Sequence, residues 1–142
     1  MIEYNNKYFN AIGYKNSCTQ DILYEMQSQQ DKRIDMWAEQ RKICGGYDER
    51  VSWNLNTFMA EQIFTWLNIY LDNADGFIDL TFYKFDINSE ELTEKDAILK
   101  ALSNLEFYLK YQDSDNETEK ECLSKIQEAF NIIGLIFPAL WW

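Results

Sequence analysis

The sequence predicts a mostly α-helical protein of about four helices packed as a small bundle. Two observations predict this fold class: apolar residues recur at helical spacing in four segments, and each segment starts near side chains that favour helix N-termini. Hydrophobic residues make up 46% of the chain and aromatic residues 16%, which is enough apolar surface for a packed core. Since 142 residues is an ordinary size for one domain, we expect residues 1–142 to form a single domain.

The first helical segment covers residues 19–44. It begins behind Thr19 and carries apolar residues on both sides of a polar run at residues 28–33. Because the polar run interrupts the apolar stripe, the segment is either two helices or one long helix whose centre leaves the core. Gly45 and Gly46 follow, and glycine readily adopts the left-handed conformation that ends helices.

The second helix, residues 54–72, has the clearest helical periodicity. Asn54 and Asn56 are its candidate N-caps, and apolar residues lie on nearly every face. A helix that is apolar all round is typically a central one, covered by its neighbours. Its main predicted stripe consists of Phe58, Met59, Ile63, Trp66, Leu67 and Tyr70.

The third and fourth helices are predicted at residues 90–110 and 117–137. Ser89 is the candidate cap of the third helix, and Pro138 cannot continue the fourth. The apolar residues repeat at intervals of three and four in both helices, which predicts one buried stripe on each. The stripes consist of Ile98, Leu102, Leu105 and Leu109 in the third helix, and of Leu123, Ile126, Phe130, Ile133 and Phe137 in the fourth.

A minor two- or three-stranded β element is the alternative to a purely helical bundle. Residues 77–87 alternate between apolar and polar positions with a phase shift near Tyr83, as in a strand with a bulge. Residues 2–14 are rich in aromatic side chains and are the predicted pairing partner, since an isolated strand is unstable.

Charge and cysteine content limit the classes of partner and the compartment. With 13 Lys and Arg against 24 Asp and Glu, the chain has a formal net charge of −11, which repels nucleic-acid backbones and anionic membranes. Cys18, Cys44 and Cys122 are widely spaced and fit reduced thiols of a cytoplasmic protein. We therefore expect a cytoplasmic protein that binds neither nucleic acid nor membrane directly, and whose N-terminus is not a signal peptide.

The absence of histidine removes the commonest catalytic base and metal ligand from the chain. Residues 71–82 resemble a calcium-binding loop in part, but Leu71 and Phe82 occupy the end positions where carboxylates are essential. Asp75 and Gly76 are better explained as a turn that ends a helix. We therefore predict a protein without a metal or cofactor, and one that is not an enzyme.

Five acidic residues concentrate before and within the start of the fourth helix, interrupted only by Lys120 among charged residues. They either form a solvated loop and a helix start stabilised by the helix dipole, or an acidic patch that competes with phosphates for a basic groove on a partner. These candidate partner-binding residues are Asp113, Asp115, Glu117, Glu119 and Glu121.

Aromatic residues at two further places pose the same choice between packing and binding. Trp53 is expected to pack against the start of the second helix as a hydrophobic staple, or else to form an anchor patch with Tyr47 and Arg50. Trp141 and Trp142 are expected to dock back on the folded domain, because the chain turns at Pro138 beside the predicted core stripe; the alternative is that they anchor a partner.

Residues 46–54 read Gly-Tyr-Asp-Glu-Arg-Val-Ser-Trp-Asn, and the chain closes on Leu-Trp-Trp. Together with the segment at residues 92–99, these features resemble a widespread set of small bacteriophage and prophage proteins with a Gly-Tyr-x-Asp/Glu-Arg-x-x-Trp-Asn motif. The resemblance covers roughly residues 45–142. It implies a phage or mobile-element origin. Small acidic phage proteins of no enzymatic type often act on host machinery, including as inhibitors of defence complexes that handle nucleic acids.

These observations lead to two functional hypotheses. In the first, the protein binds a host or defence protein in the host cytoplasm and inhibits or modulates it. The most specific form of this hypothesis is an anti-CRISPR type of inhibitor whose acidic surface occupies a basic nucleic-acid groove on the partner. In the second, it has a structural, assembly or replication-accessory role and acts through homo-oligomerisation.

Overall fold

The computed structural model describes residues 6–15 and 32–141. The chain divides into two compact units, residues 1–62 and residues 63–142. The described residues are mostly helical with one small antiparallel hairpin, which confirms the predicted fold class. The helices are α1 (Lys7–Ala11), α2 (Ile34–Ile43), α3 (Leu55–Ala74), α4 (Glu94–Tyr111) and α5 (Asn116–Ile136), and the strands are β1 (Lys84–Ile87) and β2 (Glu90–Thr93).

The first unit opens with a short helix where a strand was predicted. Asn6 caps α1 by accepting hydrogen bonds from the backbone N–H groups of Tyr8 and Phe9, at 3.0 and 3.2 Å. Phe9 is buried and meets the ring of Tyr14 edge to face, 5.2 Å between centroids. The predicted strand over residues 2–14 is therefore wrong for its described part, because a local cap starts a helical turn there.

Helix α2 is the described part of the predicted segment 19–44. It is followed by Gly45 and Gly46, both with positive φ, and the N–H of Gly46 bonds back to the carbonyl of Arg41 at 2.8 Å. This bond pattern belongs to a Schellman-type C-terminus and confirms the predicted helix end. The N-cap predicted at Thr19 and the polar run up to Asp31 lie outside the described residues.

Helix α3 begins after a 3₁₀ segment at Glu49–Asn54 and ends at Ala74, where Gly76 adopts a φ of +105° in the predicted turn. Its buried face differs from the predicted stripe. Trp66 is 63% exposed, so the expectation that this helix is covered on all sides is wrong. The residues of α3 that are buried are Thr57, Ala60, Glu61, Phe64, Leu67 and Ala74.

The β element is a hairpin formed by residues close together in sequence. Strand β1 pairs with β2 in antiparallel register, and not with residues 2–14. Asn88 and Ser89 connect the strands with φ values of +54° and +64°, as a two-residue type I′ turn requires. The cap predicted at Ser89 is thus wrong: Thr93 caps α4 instead, and its hydroxyl accepts from the N–H of Asp96 at 3.2 Å.

Helices α4 and α5 pack against each other and form the core of the second unit. All four residues of the predicted α4 stripe are buried. The predicted α5 stripe is wrong: three of its members, Leu123, Phe130 and Phe137, are 58%, 42% and 70% exposed. Smaller side chains allow closer helix contact, and the buried residues of α5 are Cys122, Ala129, Ile132 and Ile136.

After α5 the chain forms a 3₁₀ turn at Phe137–Ala139, so Pro138 stands beyond the helix end as predicted. Within residues 6–15 and 32–141, no helix combines the length and the apolar character that crossing a membrane requires.

Candidate interaction surfaces

The motif at residues 46–54 is organised by a buried ion pair. Asp48 and Arg50 are each only 3% exposed, and the Nε and Nη2 of Arg50 donate to the two carboxylate oxygens of Asp48 at 2.8 and 2.6 Å. Arg41 of α2 adds a third bond, from Nη1 to Asp48 Oδ2 at 2.8 Å. Burial alone would raise the pKa of Asp48, but the bonds from Arg50 and Arg41 lower it overall.

Trp37 completes this cluster from α2. The guanidinium of Arg50 lies 3.7 Å from the centroid of the Trp37 ring, a close cation–π contact. The indole N–H of Trp37 donates to Glu49 Oε1 at 2.9 Å. Charge pairing and stacking together fix the 3₁₀ segment against α2, so this part of the motif has a structural role.

The three predicted anchor residues of the motif do not form one exposed patch. Arg50 is buried, while Tyr47 is half-buried, with its hydroxyl accepting from Gln62 Nε2 at 3.0 Å. Trp53 is 64% exposed, so the prediction that it packs as a hydrophobic staple is wrong. The anchor patch as predicted is also wrong, because its cation is enclosed by Asp48 and Trp37.

A shallow, mainly apolar pocket lies beside this cluster in the first unit, with a volume of about 380 Å³. Cys44 is one of its lining residues, and its free thiol is exposed; Cys122 is free and buried, and Cys18 lies outside the described residues.

The five predicted acidic residues are all exposed, as either interpretation requires. Asp115 accepts a hydrogen bond from the N–H of Thr118 at 3.0 Å and is the N-cap of α5. Its bonds to Thr118 lower the pKa of Asp115, so this carboxyl is ionised at neutral pH. The capping role is therefore present, and a binding role for all five acidic residues, Asp115 included, stays a prediction.

Tyr70 and Glu94 form a polar pair inside the second unit. Glu94 starts α4 and is 2% exposed, and its Oε1 lies 3.0 Å from the Tyr70 hydroxyl. Burial raises the pKa of Glu94, and the bond from Tyr70 only partly offsets this effect. Burial, together with the bond to Glu94 and its charge, raises the pKa of Tyr70 to about 12.

The same hydroxyl lies near the end of the chain. It lies 3.4 Å from the carbonyl oxygens of both Ala139 and Trp141. The Trp141 side chain is nevertheless 71% exposed, so the predicted docking of this ring on the core is wrong: its backbone lies beside Tyr70, but the ring is not buried. Trp142 lies outside the described residues.

A pocket of about 220 Å³ opens beside the Tyr70–Glu94 pair, and we call it the aromatic pocket. Exposed aromatic rings and two carboxyl groups meet there, contributed by the segment before β1, the first turn of α4 and the end of the chain. Its lining residues are Ile78, Asp79, Phe82, Tyr83, Glu94, Ala139 and Trp141.

Local hydrogen bonds fix the segment that carries half of the aromatic pocket. Asp79 Oδ1 accepts from the N–H and the hydroxyl of Thr81, at 2.9 and 2.5 Å. These bonds lower the pKa of Asp79, which is therefore ionised at neutral pH. The N–H groups of Glu94 and Lys95 donate to the carbonyls of Tyr83 and Leu80 at 3.2 and 3.0 Å, joining this segment to the start of α4.

Trp141 was predicted from the sequence as a candidate binding residue, but the other groups of the pocket were not. Phe82 and Tyr83 were assigned to a strand, and Glu94 to the body of a helix. The available signal was Asp79 two residues before Thr81, a pattern typical of an Asx turn, followed by two adjacent aromatic residues.

In the part of the chain that the structure describes, no three Cys, Asp or Glu side chains come together to hold a metal ion. No protein-family model matches the chain, and neither a curated protein nor a solved structure shows significant similarity to it.

Proposed function

We propose that the protein is a non-enzymatic binding protein that docks through the aromatic pocket and its rim onto a protein with a basic surface. The observation that carries this proposal is the exposure of Phe82, Tyr83 and Trp141, at 72%, 56% and 71%, around one pocket. Contiguous exposed aromatic surface beside polar groups is typical of interaction sites, and Trp and Tyr are enriched among residues that dominate binding energy.

Charge determines the kind of partner. The net charge of −11 favours association with a basic protein surface and accelerates the encounter at low salt. The exposed acidic residues 113–121 add to this attraction without having to lie in the contact itself. The resemblance to phage and prophage proteins supports a host or defence protein of the host cytoplasm as the partner. An anti-CRISPR type of inhibitor that occupies a basic nucleic-acid groove is the most specific form of this proposal.

The test is affinity capture from host lysate with the full chain carrying an N-terminal tag, followed by binding measurements with the purified partner. Trp141→Ser should abolish capture of a specific basic protein, because it removes the largest exposed ring of the pocket. Trp66→Ser is the matched control, since Trp66 is 63% exposed but does not line the pocket. Equal retention of the partner by both variants would contradict the proposal.

Self-association is the second candidate, and one observation favours it. The predicted core stripe of α5 repeats at intervals of three and four residues, as in a coiled-coil seam, yet its members Leu123, Phe130 and Phe137 are exposed. A second copy of the chain would cover such a seam. The molecular mass in solution tests this: a dimer that Phe130→Ser converts to a monomer supports it, and a monomeric wild type at high salt excludes it.

A further inference from the structure

We propose that the aromatic pocket binds the guanidinium group of one arginine side chain presented by the partner. This inference rests on the proposed binding function and names the group that the pocket recognises. Three features of the pocket carry it: its size, its exposed rings and its carboxyl groups.

The size of the pocket fits the end of one side chain. Its volume of about 220 Å³ lies below the roughly 300–1,000 Å³ of sites that enclose drug-sized ligands. The pocket is open to solvent on one side, since Trp141 and Phe82 remain largely exposed. A side chain that extends from a partner surface can therefore enter it while its backbone stays outside.

The rings provide faces on which a planar cation stacks. Phe82 and Tyr83 contact each other edge to face, with 5.1 Å between centroids, so their planes point in different directions. Trp141 is the third ring that lines the pocket. Cations are attracted to aromatic faces within about 6 Å of the centroid, and the guanidinium of arginine also stacks as a flat group.

The carboxyl groups determine the sign of the charge that the pocket accepts. Asp79 is exposed and uses Oδ1 for both of its bonds to Thr81, so those bonds do not occupy Oδ2. Glu94 is almost fully buried in the pocket wall and receives one bond from Tyr70. An anionic ligand would be repelled by the ionised Asp79, whereas a guanidinium can donate several hydrogen bonds to the oxygens of both groups.

The two lysines closest in sequence to the pocket residues pair with other acids. Lys95 Nζ lies 2.9 Å from Asp75 Oδ2, and Lys84 Nζ lies 3.5 Å from Glu91 Oε1. Both lysines are thus paired with acids outside the pocket lining. The acids and bases that line the pocket are thus acids only, in agreement with the net negative charge of the whole chain.

The experiment titrates the full chain with Nα-acetyl-arginine methylamide and follows backbone and indole signals by NMR. We expect binding in the millimolar range with the largest shifts at Asp79, Tyr83, Glu94 and the Trp141 indole. The citrulline derivative has nearly the same shape without the charge, and we expect it to bind at least tenfold more weakly. The lysine derivative should also bind more weakly, because its ammonium cannot stack as a plane.

Variants separate the pocket from the general charge of the chain. Asp79→Asn and Glu94→Gln should each weaken arginine binding several-fold, while Asp35→Asn, which removes the same charge from an exposed residue of α2, should leave it unchanged. Asp79 is exposed, so its variant keeps the fold even if Glu94→Gln does not. Equal binding of the arginine and citrulline derivatives, or equal weakening by Asp35→Asn, would overturn the inference.

The two proposals can fail separately. If the partner is still captured by Asp79→Asn and Glu94→Gln but not by Trp141→Ser, the arginine inference is overturned and the proposed function stands. If the wild-type chain binds the arginine derivative in the pocket but captures no protein from lysate in a way that Trp141→Ser abolishes, the proposed function is overturned.

Discussion

Asp48 shows how one carboxylate organises the first unit. It accepts from two arginines, and one of them, Arg50, is stacked on Trp37. The most recognisable part of the sequence motif is therefore explained by burial and pairing. Trp53, the exposed aromatic residue of the motif, remains available for contacts.

Arg50→Ala should lower the free energy of unfolding by about 3–5 kcal/mol, because it leaves the Asp48 carboxylate buried without its bidentate partner. Urea denaturation measures this loss. Arg41→Ala is the matched control: it removes the other arginine from the same carboxylate, but Arg41 is partly exposed and water can replace its bond. We expect a clearly smaller loss there, and equal losses would contradict the assigned role of Arg50.

Glu94 gives a pH dependence of defined sign. Its pKa is raised in the folded protein, so the protonated form is favoured by folding. This contribution to stability is fully present below the ordinary value of 4.5 and is lost as the pH rises through the raised pKa. Glu94→Gln, which stays neutral, should therefore be more stable than the wild type at pH 7, and the difference should shrink towards pH 4.

Thermal unfolding between pH 4 and pH 8 measures this effect. Glu90→Gln is the control on an exposed strand residue, and we expect a change below about 0.5 kcal/mol at every pH. A Glu94→Gln variant that is less stable than the wild type at pH 7 would show that the charged form is favoured in the folded protein.

At the level of elements, the β1–β2 hairpin depends on a turn formed by two residues other than glycine, Asn88 and Ser89. Asn88 tolerates positive φ better than most residues, but Ser89 at +64° carries a steric cost. Ser89→Gly should therefore raise the free energy of unfolding by about 0.5–1 kcal/mol. Ser103→Gly, at an exposed position inside α4, should lower it by a similar amount, because glycine is unfavourable in a helix. Chemical denaturation of both variants tests the opposite signs.

Helix α4 was predictable from the sequence because only one of its faces is strongly apolar. Helix α5 has two apolar faces, and periodicity alone cannot tell which of them a neighbour covers. The larger residues Leu123, Phe130 and Phe137 suggested one face, but the small residues Cys122 and Ala129 permit the close approach to α4 that the structure shows. The sequence therefore predicted the position of α5 and not its rotation.

The aromatic pocket was less predictable than the helices. Its groups come from three separate parts of the chain, around residues 78–83, at Glu94 and at the chain end, and only Trp141 was identified. The misplaced start of α4 hid the hairpin, because Ser89 was read as a cap when it is a turn residue. Local patterns predict single elements, whereas a pocket depends on how the connections between elements fold back.

For the whole molecule, we expect one cooperative unfolding transition. Residues 1–62 and 63–142 form two compact units, but single chains of this length usually unfold in one all-or-none transition. Coincident denaturation curves from far-UV circular dichroism and from Trp37 fluorescence, assigned with Trp37→Phe, would agree with the predicted single domain. Two separated transitions would divide the chain into two domains.

The bonds that join residues 80–83 to the start of α4 make the pocket observable by amide hydrogen exchange. A helix start normally leaves its first N–H groups open to water, but Glu94 and Lys95 donate to Tyr83 and Leu80. Their amides should exchange slowly only while this segment is in place. Their exchange rates therefore report how often the pocket wall opens, separately from the unfolding of α4 itself.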